Sequence, residues 1–403
     1  MDLKSGYPFW AIKNGLMCEF PQLKADIDCD VVVVGGGITG ALIADELGKN
    51  GLEVVVVEQR DIGWGSSAAS TALLQYEIDT HMVDLASMYG EANAVLAYRS
   101  CAEAITDLRD LSQEVGDVDF DMQESLYYAS APTDEATLRE EYQLRIKHEF
   151  DAQWLDSDHL QEQFGIKAPC GILTKLAARI DPYRMASKLL LRLAERGGRV
   201  FDRTVIHTIE PSDQDVTLCT QEGFRIKTQQ VVMAAGYASQ RWLRQPVATN
   251  RSSYAFITDP LEKSDLGKLA STMVWESARP YLYMRTTGNG RLLVGGDDDD
   301  VDIPARRDKR VGSKAKGLCR KVKKLFPDLP LRPAFSWGGT FAETRDGLPF
   351  FGPHPQYGPR VQFALAYGGN GISYSMLGAG LLRANIEGRP HPLAELFGFS
   401  RAG

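Results

Sequence analysis

Residues 31–58 read VVVVGGGITGALIADELGKNGLEVVVVE. An apolar strand, a glycine-rich turn, a helix and a second strand follow one another here, which is the pattern of a dinucleotide-binding βαβ unit. Gly35 lets the chain turn sharply, Gly37 lets the backbone approach a pyrophosphate, and Gly40 lets the helix pack close to the sheet. Glu58 ends the second strand, where a carboxylate accepts the hydroxyls of a ribose. The stretch predicts a dinucleotide site, and a βαβ unit without a nucleotide is the alternative.

The bulk composition narrows the class of protein. The chain has 403 residues, 44% hydrophobic and 24% charged, with a net charge of −8, which fits two or three soluble domains. The acidic balance argues against a general nucleic-acid binder. Six scattered cysteines form no CxxC pair and no metal-ligand spacing, so we expect reduced thiols and no metal. We find no leader pattern and no apolar run long enough for a membrane span, so the expected location is the cytoplasm.

The most basic stretch, residues 306–324, carries apolar residues at helical spacing. Val311, Ala315, Leu318 and Val322 form the stripe, which leaves the lysines and arginines to solvent. The alternative is a docking site for an acidic partner or a lipid.

The periodicity changes several times along the chain. Helical spacing at 92–115 and 134–150 is followed by a second strand–helix region that starts near Ile180. Alternating aromatic segments between 252 and 294 predict antiparallel strands. The first 28 residues contain Tyr7, Phe9 and Trp10, and we expect them to pack on the body as an irregular arm. Asp79 or Thr80 is the expected cap of the helix that follows.

Five ordered motifs resemble one family. They are GGGITG with Glu58, GWGSS at 63–67, MAAG at 233–236, WGGTFAETRDGLPFFG at 337–352 and AYGGNGISYSMLGAG at 366–380. The chain is similar, over nearly its whole length, to the D-amino-acid-oxidase-like FAD-dependent oxidoreductases, which include glycine, sarcosine and γ-glutamylputrescine oxidases. A plain NAD-dependent Rossmann dehydrogenase has no reason to carry the last two motifs.

The resemblance implies an α/β plus α+β fold. A Rossmann-like FAD-binding domain and a mixed or antiparallel-sheet substrate domain would both be discontinuous in sequence. The expected FAD-binding segments are 1–92, 178–247 and 337–403, and the expected substrate-domain segments are 93–177 and 248–336.

The resemblance also implies the residues that hold FAD. Ser66 and Ser67 would bond the pyrophosphate, Val205 would meet the adenine through its backbone, and 368–372 would cover the flavin. The full set of expected cofactor residues is Gly35, Gly37, Ile38, Thr39, Gly40, Glu58, Gln59, Gly65, Ser66, Ser67, Ser70, Thr71, Val205, Ala235, Gly236, Gly347, Gly368, Gly369, Asn370, Gly371 and Ile372.

Two departures limit what the resemblance says about the substrate. Phe341 stands where amino-acid oxidases of the family often have a carboxylate-binding arginine, and Leu293 stands where sarcosine-oxidase-like relatives have a lysine that assists reaction with oxygen. The flavin loop has Ala69 and Ser70 where relatives often have arginine and asparagine. Since no histidine in that loop and no cysteine near Trp337 is available for a covalent bond, FAD is expected to be non-covalent.

The expected substrate-side residues are Tyr254, Tyr283, Arg285 and Asn370. Tyr281, Tyr283 and Arg285 share a strand face at period two, so two phenols and a guanidinium would converge on an anionic substrate. The alternative is that the tyrosines only pack and Arg285 pairs with an aspartate. The run Asp297–Asp300 is expected to be a solvated turn, because calcium-loop spacing is missing. Of the six histidines, His354 is the one expected nearest the flavin.

The leading hypothesis is oxidation of a C–N bond in an amino acid or secondary amine, with electrons passing to oxygen or another acceptor. Hydride transfer to a flavin needs orientation and exclusion of water more than a strong base. The alternatives are oxidation of a 2-hydroxy acid or other CH–OH substrate, and a flavin-binding protein without turnover. The expected partner is a small amine, amino acid or hydroxy acid.

Overall fold

The computed structural model describes residues 2–300 and 303–402. The strands in these residues are β1 Lys4–Gly6, β2 Ile27–Val34, β3 Val54–Val57, β4 Leu73–Gln75, β5 Asp121–Tyr128, β6 Ala152–Asp156, β7 Cys170–Arg179, β8 Arg199–Phe201, β9 Ile206–Pro211, β10 Val216–Thr220, β11 Arg225–Met233, β12 Thr249–Pro260, β13 Thr272–Glu276, β14 Leu282–Thr286, β15 Arg291–Asp299, β16 Pro333–Glu343, β17 Phe350–Pro353 and β18 Val361–Leu365.

The helices connect these strands and cover the sheets. They are α1 Phe9–Asn14, α2 Ile38–Lys49, α3 Ser66–Ala69, α4 Met82–Tyr89, α5 Glu91–Val115, α6 Glu135–Lys147, α7 Ser157–Phe164, α8 Pro182–Glu195, α9 Lys263–Leu266, α10 Pro304–Leu325 and α11 Gly371–Ile386. Short 3₁₀ turns occur at Pro132–Asp134, Gly236–Trp242, Gly267–Ala270 and Phe399–Ala402. In the described ranges, we find no helix that is both long enough and apolar enough to cross a bilayer.

Sheet 1 is built around the βαβ unit. Its strand order is β17-β18-β11-β2-β3-β8, with β10 on β11 and β9 on β10. Strands β3, β2, β11 and β18 run parallel, and the valines at 31–34 and 54–57 are buried. Such near-continuous apolar runs are typical of parallel strands that are covered on both faces. Helices α2, α8 and α11 pack on this sheet, and α5 packs against α11 and α8.

Sheet 2 is mainly antiparallel. Its order is β1-β16-β12-β15-β14-β13-β5-β7-β4, with β6 on β7, and β13 and β5 form a parallel pair. Helix α10 covers one face through Val311, Ala315, Leu318 and Val322, all of which are buried. The predicted amphipathic helix is therefore confirmed.

The two sheets are interleaved in sequence, and the predicted mixed α/β fold class is confirmed. Sheet 1 takes its strands from 27–57, 199–233 and 350–365. Sheet 2 takes strands from the expected substrate segments, but also from Lys4–Gly6, Leu73–Gln75 and the part of β16 beyond residue 336. The chain thus crosses between the sheets at points that differ from the boundaries expected from the sequence.

The N-terminal arm is more ordered than expected. Strand β1 pairs with β16, with Lys4 opposite Gly339, and α1 places Trp10 in a fully buried position. The prediction of an irregular arm was wrong because a short edge strand and a six-residue helix leave little periodicity in the sequence. The expected cap of the helix after residue 80 was also wrong, since α4 begins at Met82 with His81 before it.

Candidate functional site

A long cavity lies between the carboxyl ends of the sheet 1 strands and one face of sheet 2. It holds about 2110 Å³ of space, its open mouth included. Residues that follow β2, β3 and β11 line one end, and residues of β12, β14, β15 and β16 line the other. The position matches the rule that ligands of open α/β sheets bind outside the carboxyl ends of the strands.

Most of the expected cofactor residues line this cavity; Gly40, Val205 and Gly347 do not. Gly40 lies in α2, one turn behind the glycine turn. Val205 is flanked by the lining residues Thr204 and Ile206, and its carbonyl accepts a hydrogen bond from the Gln221 amide. Gly347 supports the site from behind, because its carbonyl accepts a hydrogen bond from Tyr374 (2.8 Å). These three residues therefore lie next to residues of the cavity wall but do not line the cavity themselves.

The glycine turn has the close contacts that its sequence predicts. Gly35 has φ +123°, and a Cβ there would overlap the Ala234 carbonyl oxygen. A Cβ on Gly40 would overlap the Gly35 carbonyl oxygen, so α2 can pack this close to β2 only without a side chain at position 40. The turn therefore directs the N-terminus of α2 into the cavity, where amide groups and the helix dipole favour an anion.

Glu58 holds the next part of the wall. One carboxylate oxygen accepts a hydrogen bond from the Gly36 amide (2.8 Å), and the other accepts one from the Arg60 amide (2.9 Å). Burial raises the pKa of Glu58, and these hydrogen bonds act against the increase. The carboxylate is thereby fixed in the cavity with lone pairs that remain for ribose hydroxyls.

The two serines of the GWGSS loop differ in what they bind. Ser67 Oγ accepts a hydrogen bond from the Ile38 amide (2.8 Å) and so caps α2. Ser66 Oγ is buried at the cavity and has no hydrogen-bond partner among the described residues, and the same is true of Arg60 Nε. Buried polar atoms rarely stay unpaired. A hydroxyl and a guanidinium left unpaired beside a helix N-terminus fit the pyrophosphate of a dinucleotide.

Residues 69–71 form the floor in the middle of the cavity, and buried side chains hold their carbonyl groups. Trp337 Nε1 donates to Ala69 O (2.8 Å), Trp10 Nε1 donates to Ser70 O (2.7 Å), and the Arg285 Nε donates to the Thr71 carbonyl (2.7 Å). These three consecutive carbonyl groups are thus anchored beneath the cavity.

Arg285 is not a substrate anchor in this structure, and that expectation is corrected. The side chain is 1% exposed and does not line the cavity. Besides Thr71, it donates to the carbonyl oxygens of Ile180 (2.9 Å) and Thr286 (3.1 Å). Burial lowers its pKa to about 10. Arg285 shares a strand face with Tyr283 but lies further along the strand, beneath the loop, so it acts as a positioning residue.

The loop at 368–371 is held in a similar way. Asp79 Oδ2 accepts a hydrogen bond from the Gly369 amide (2.8 Å), and Asn370 Nδ2 donates to the carbonyl oxygens of Gln75 and Glu77 (both 2.9 Å). The amide nitrogen of Asn370 thus joins two segments of the chain, and because Asn370 also lines the cavity, its role as a substrate contact stays a prediction. Asp79, expected as a helix cap, lines the cavity instead.

Aromatic side chains from sheet 2 line the other end. Trp275, Tyr281, Tyr283 and Phe341 border the cavity, and Tyr283 Oη lies 3.3 Å from Ser253 Oγ. Burial raises the pKa of Tyr283, which keeps the phenol neutral. We call this end, with Asp79, Ser253, Asp298 and Glu343, the aromatic chamber.

Tyr254 borders the cavity, but its phenol faces away from it. The ring packs with Val311 and Ala315 of α10, and its hydroxyl donates to Asp299 (3.2 Å). Ser253 and Ala255, its neighbours in β12, are the residues whose side chains take the cavity face. The expectation that Tyr254 orients a substrate is therefore corrected.

Asp298 is a cavity residue that the sequence reasoning missed. Where β12 pairs with β15, Ser252 lies opposite Asp299 and Tyr254 lies opposite Gly296. Strand β15 therefore has one more residue than β12 between these two pairs, which is a β-bulge. Asp297 has φ +55° at this bulge and Asp298 turns into the cavity. Burial raises the pKa of Asp298 to about 7, with contributions from Glu343 and Asp79.

The rest of the acidic run is paired with basic side chains and is not a solvated turn. Asp297 lies 3.3 Å from Lys314, Asp299 lies 2.6 Å from Arg310, and Asp300 pairs with Arg251. In residues 2–300 and 303–402, no three His, Cys, Asp or Glu side chains are arranged so that they could hold a metal ion. The signal for Asp298 in the sequence was two adjacent glycines before the acidic run, which are typical of a bulge.

His354, Leu293 and Phe341 differ in where they lie relative to the cavity. His354 packs against Phe363 and Phe399, away from the cavity, so it is not the histidine nearest the flavin site. Leu293 is buried in an apolar cluster with Trp337. Phe341 lines the chamber. The described residues of the cavity wall include no histidine and no cysteine.

Comparison with known proteins agrees with this geometry. The family model described as FAD dependent oxidoreductase (DAO) matches residues 30–384. The chain belongs to the DAO family. This DAO-family protein is therefore an FAD-dependent oxidoreductase, with FAD as its cofactor. The unpaired Ser66 Oγ, the glycine turn and the fixed Glu58 are the residues that would hold it.

Three relatives illustrate the match. The DAO-family chain is 25% identical to gamma-glutamylputrescine oxidoreductase of Escherichia coli (strain K12), over 94% of this chain and 88% of that protein. It is 26% identical to glycine oxidase of Geobacillus kaustophilus (strain HTA426), over 92% and 96% of the two chains. The structure of glycine oxidase from Geobacillus kaustophilus superposes with a TM-score of 0.79 at 20% identity, covering 93% and 99%. L-proline dehydrogenase from P. horikoshii gives 0.78 at 19% identity, covering 93% and 99%. These superpositions establish the common fold.

The serine pair allows a test of FAD binding. We expect Ser66→Ala to weaken FAD binding about tenfold without changing the stability of the FAD-free protein, because its hydroxyl has no partner among the described residues. Ser67→Ala should weaken FAD binding and should also lower the stability of the FAD-free protein by about 1 kcal/mol, since it removes the cap of α2. Fluorescence titration of the FAD-free variants with FAD and chemical unfolding measure the two effects. Equal loss of stability in both variants would contradict this assignment.

Proposed function

We propose that this enzyme oxidises the C–N bond of a small amine or amino acid. Bound FAD supplies a two-electron acceptor for the hydride that leaves the substrate carbon. The observation that supports this substrate class is the aromatic chamber, where Trp275, Tyr281 and Tyr283 meet the 368–371 loop. The relatives named gamma-glutamylputrescine oxidoreductase, glycine oxidase and L-proline dehydrogenase are named for amine or amino-acid substrates.

The chain's own contribution is orientation and exclusion of water. Tyr127 stacks on Trp275 at 3.8 Å between ring centroids, and Tyr281 donates to Asp79 (3.3 Å), so the chamber walls are fixed before a substrate enters. A fixed apolar wall holds a substrate in a reactive orientation and lowers the entropic part of the barrier. Hydride departure also requires the substrate amine to be neutral at the moment of reaction.

We further propose that FAD is held without a covalent bond, since the described wall has no histidine or cysteine. The electron acceptor is oxygen or another acceptor. The six cysteines are all free, which supports a reducing compartment such as the cytoplasm.

Anaerobic reduction of the FAD-loaded enzyme tests the proposal. We expect loss of the visible flavin absorption with members of a panel of primary amines, secondary amines and amino acids, and no loss with 2-hydroxy acids or polyols. Reduction by hydroxy acids alone would reject C–N oxidation. Readmission of air then distinguishes the acceptors, because an oxidase recovers its absorption within the turnover time and a dehydrogenase does not. Leu293 is buried with Trp337 where some relatives place a lysine, so we expect slow recovery.

A further inference from the structure

The aromatic chamber contains three carboxylates, which differ in their ion-pair and hydrogen-bond partners. Glu343 pairs with Arg251 at the chamber edge. Asp79 accepts hydrogen bonds from the Gly369 amide and from Tyr281. Asp298 has no ion pair among the described residues, and its buried Oδ1 has no hydrogen-bond partner there. A buried carboxylate oxygen without a donor is costly, by about 1–3 kcal/mol or more. Among the described residues, Asp298 is therefore the chamber carboxylate that keeps one buried oxygen without a donor, although its side chain also has a hydrogen bond with the Ser253 hydroxyl.

Among the described residues, no arginine that lines the chamber is fixed where it could hold a substrate carboxylate. Arg279 lies over the Tyr281 ring (3.4 Å) and donates to the Asp79 carbonyl oxygen (3.0 Å), but it is outside the cavity wall. Arg285 donates to three backbone carbonyl groups beneath the floor, and Phe341 contributes a ring. The arginines that line the described cavity are Arg60, whose unpaired Nε lies with Ser66 at the pyrophosphate end, and Arg241, which is exposed and lies over the Trp242 ring. Neither is fixed beside Asp298.

We propose that Asp298 binds an ammonium group of the substrate, so that the enzyme selects cationic amines over amino acids that carry a carboxylate at the same place. This inference rests on the proposed oxidation of C–N bonds and names the substrate class within it. An ammonium donates to the unpaired Oδ1, and a hydrogen bond between groups of opposite charge is stronger than one between neutral groups. A carboxylate in the same position would meet Asp298 and Asp79 at close range, which disfavours it.

The charges around Asp298 predict how this binding depends on pH. Glu343 on β16 and Asp79 before α4 raise the pKa of Asp298, whereas the nearby Ser253 hydroxyl and Arg279 lower it, and the Tyr283 phenol stays neutral. Burial dominates and brings the pKa to about 7. Asp298 is mostly protonated below this pH and charged above it, while an alkylammonium stays charged. Cation binding should therefore strengthen as pH rises from 6 to 8.

Two probes that share a tert-butyl group and carry opposite charges test the proposal. Neither tert-butylamine nor 2,2-dimethylpropanoate has a hydrogen on the carbon next to the charged group, so neither can be oxidised there. Each is titrated into the FAD-loaded enzyme, and binding is followed by calorimetry and by the change in flavin absorption. We expect saturable binding of tert-butylammonium and at least about tenfold weaker binding of the carboxylate. Tighter binding of the carboxylate, or no binding of the cation, would overturn the proposal.

Variants assign the effect to Asp298. We expect Asp298→Asn to weaken tert-butylammonium binding at least about tenfold and to abolish its change between pH 6 and 8. Asp297→Asn is the matched control, because Asp297 pairs with Lys314 on α10 and lies outside the cavity wall. Unchanged cation affinity in Asp298→Asn would refute the assignment. If Asp298→Asn does not fold, the comparison of the two probes in the unaltered enzyme still decides.

The same data separate this inference from the proposed function. Reduction of the flavin by amino acids, together with tighter binding of the carboxylate probe and weaker binding in Arg241→Met, would keep C–N oxidation and reject cation selection. Reduction by hydroxy acids alone would reject both.

Discussion

Replacing Gly40 with alanine should lower the free energy of unfolding by at least about 3 kcal/mol and prevent the protein from retaining FAD. The new Cβ would overlap the carbonyl oxygen of Gly35. Neither group is the end of a flexible side chain, so α2 must move away from β2, which is costly in a closely packed interior. The same movement would displace the N-terminus of α2 from the phosphate position. Chemical unfolding and the flavin-to-protein absorbance ratio measure the two effects.

The control is a helical glycine without neighbours. A Cβ on Gly312, exposed on α10, meets nothing within 4 Å. Gly312→Ala should be neutral or should stabilise the protein by about 0.5–1 kcal/mol, as alanine favours a helix over glycine. A Gly40→Ala protein with normal FAD content and normal stability would show that α2 does not depend on this contact.

The second large effect is expected for Arg285→Met. The variant leaves the carbonyl oxygens of Thr71, Ile180 and Thr286 without their donor, and each unpaired buried group costs about 1–3 kcal/mol. We expect a loss of about 3–5 kcal/mol in stability and weaker FAD binding, because the floor at 69–71 loses one of its three anchors. The preference between cationic and anionic probes should stay as it is.

Arg291→Met on the neighbouring strand is the matched control. Arg291 is half-buried and donates to a single carbonyl group, that of Thr258 (2.8 Å). Its replacement should cost no more than about 1.5 kcal/mol. If Arg285→Met instead kept its stability and selectively lost affinity for a carboxylate, Arg285 would be the substrate anchor that the sequence suggested.

The parts of the site that could be predicted from the sequence are local in the chain. The turn from Gly35 to Gly40, its strand and its acid lie within 28 residues, so spacing alone specifies their geometry. The loops at 63–71 and 366–372 were located through their resemblance to a family, and most of their residues do line the cavity.

The positions of the side chains in the aromatic chamber could not be predicted from residue spacing alone. Alternation reveals the outward face of a strand only if one face meets water, and β12 is buried on both faces around Tyr254. Alternation correctly placed Arg285 on the strand face of Tyr283. Its burial beneath the cavity floor, however, depends on contacts with Thr71 and Ile180, which are far away in sequence. Asp298 reaches the chamber through a bulge, which changes the alternation by one residue.

The pairing of β1 with β16 has a consequence for the synthesis of this enzyme. Lys4 lies opposite Gly339, and the indole of Trp10 holds a carbonyl of the cavity floor. Sheet 1 likewise needs β18, and the loop at 368–371 follows that strand. Contacts between such distant parts of a chain form late, after the loops between them have closed. A ribosome must therefore translate beyond residue 370 before a nascent chain can bind its flavin, so cofactor loading follows translation of the entire site.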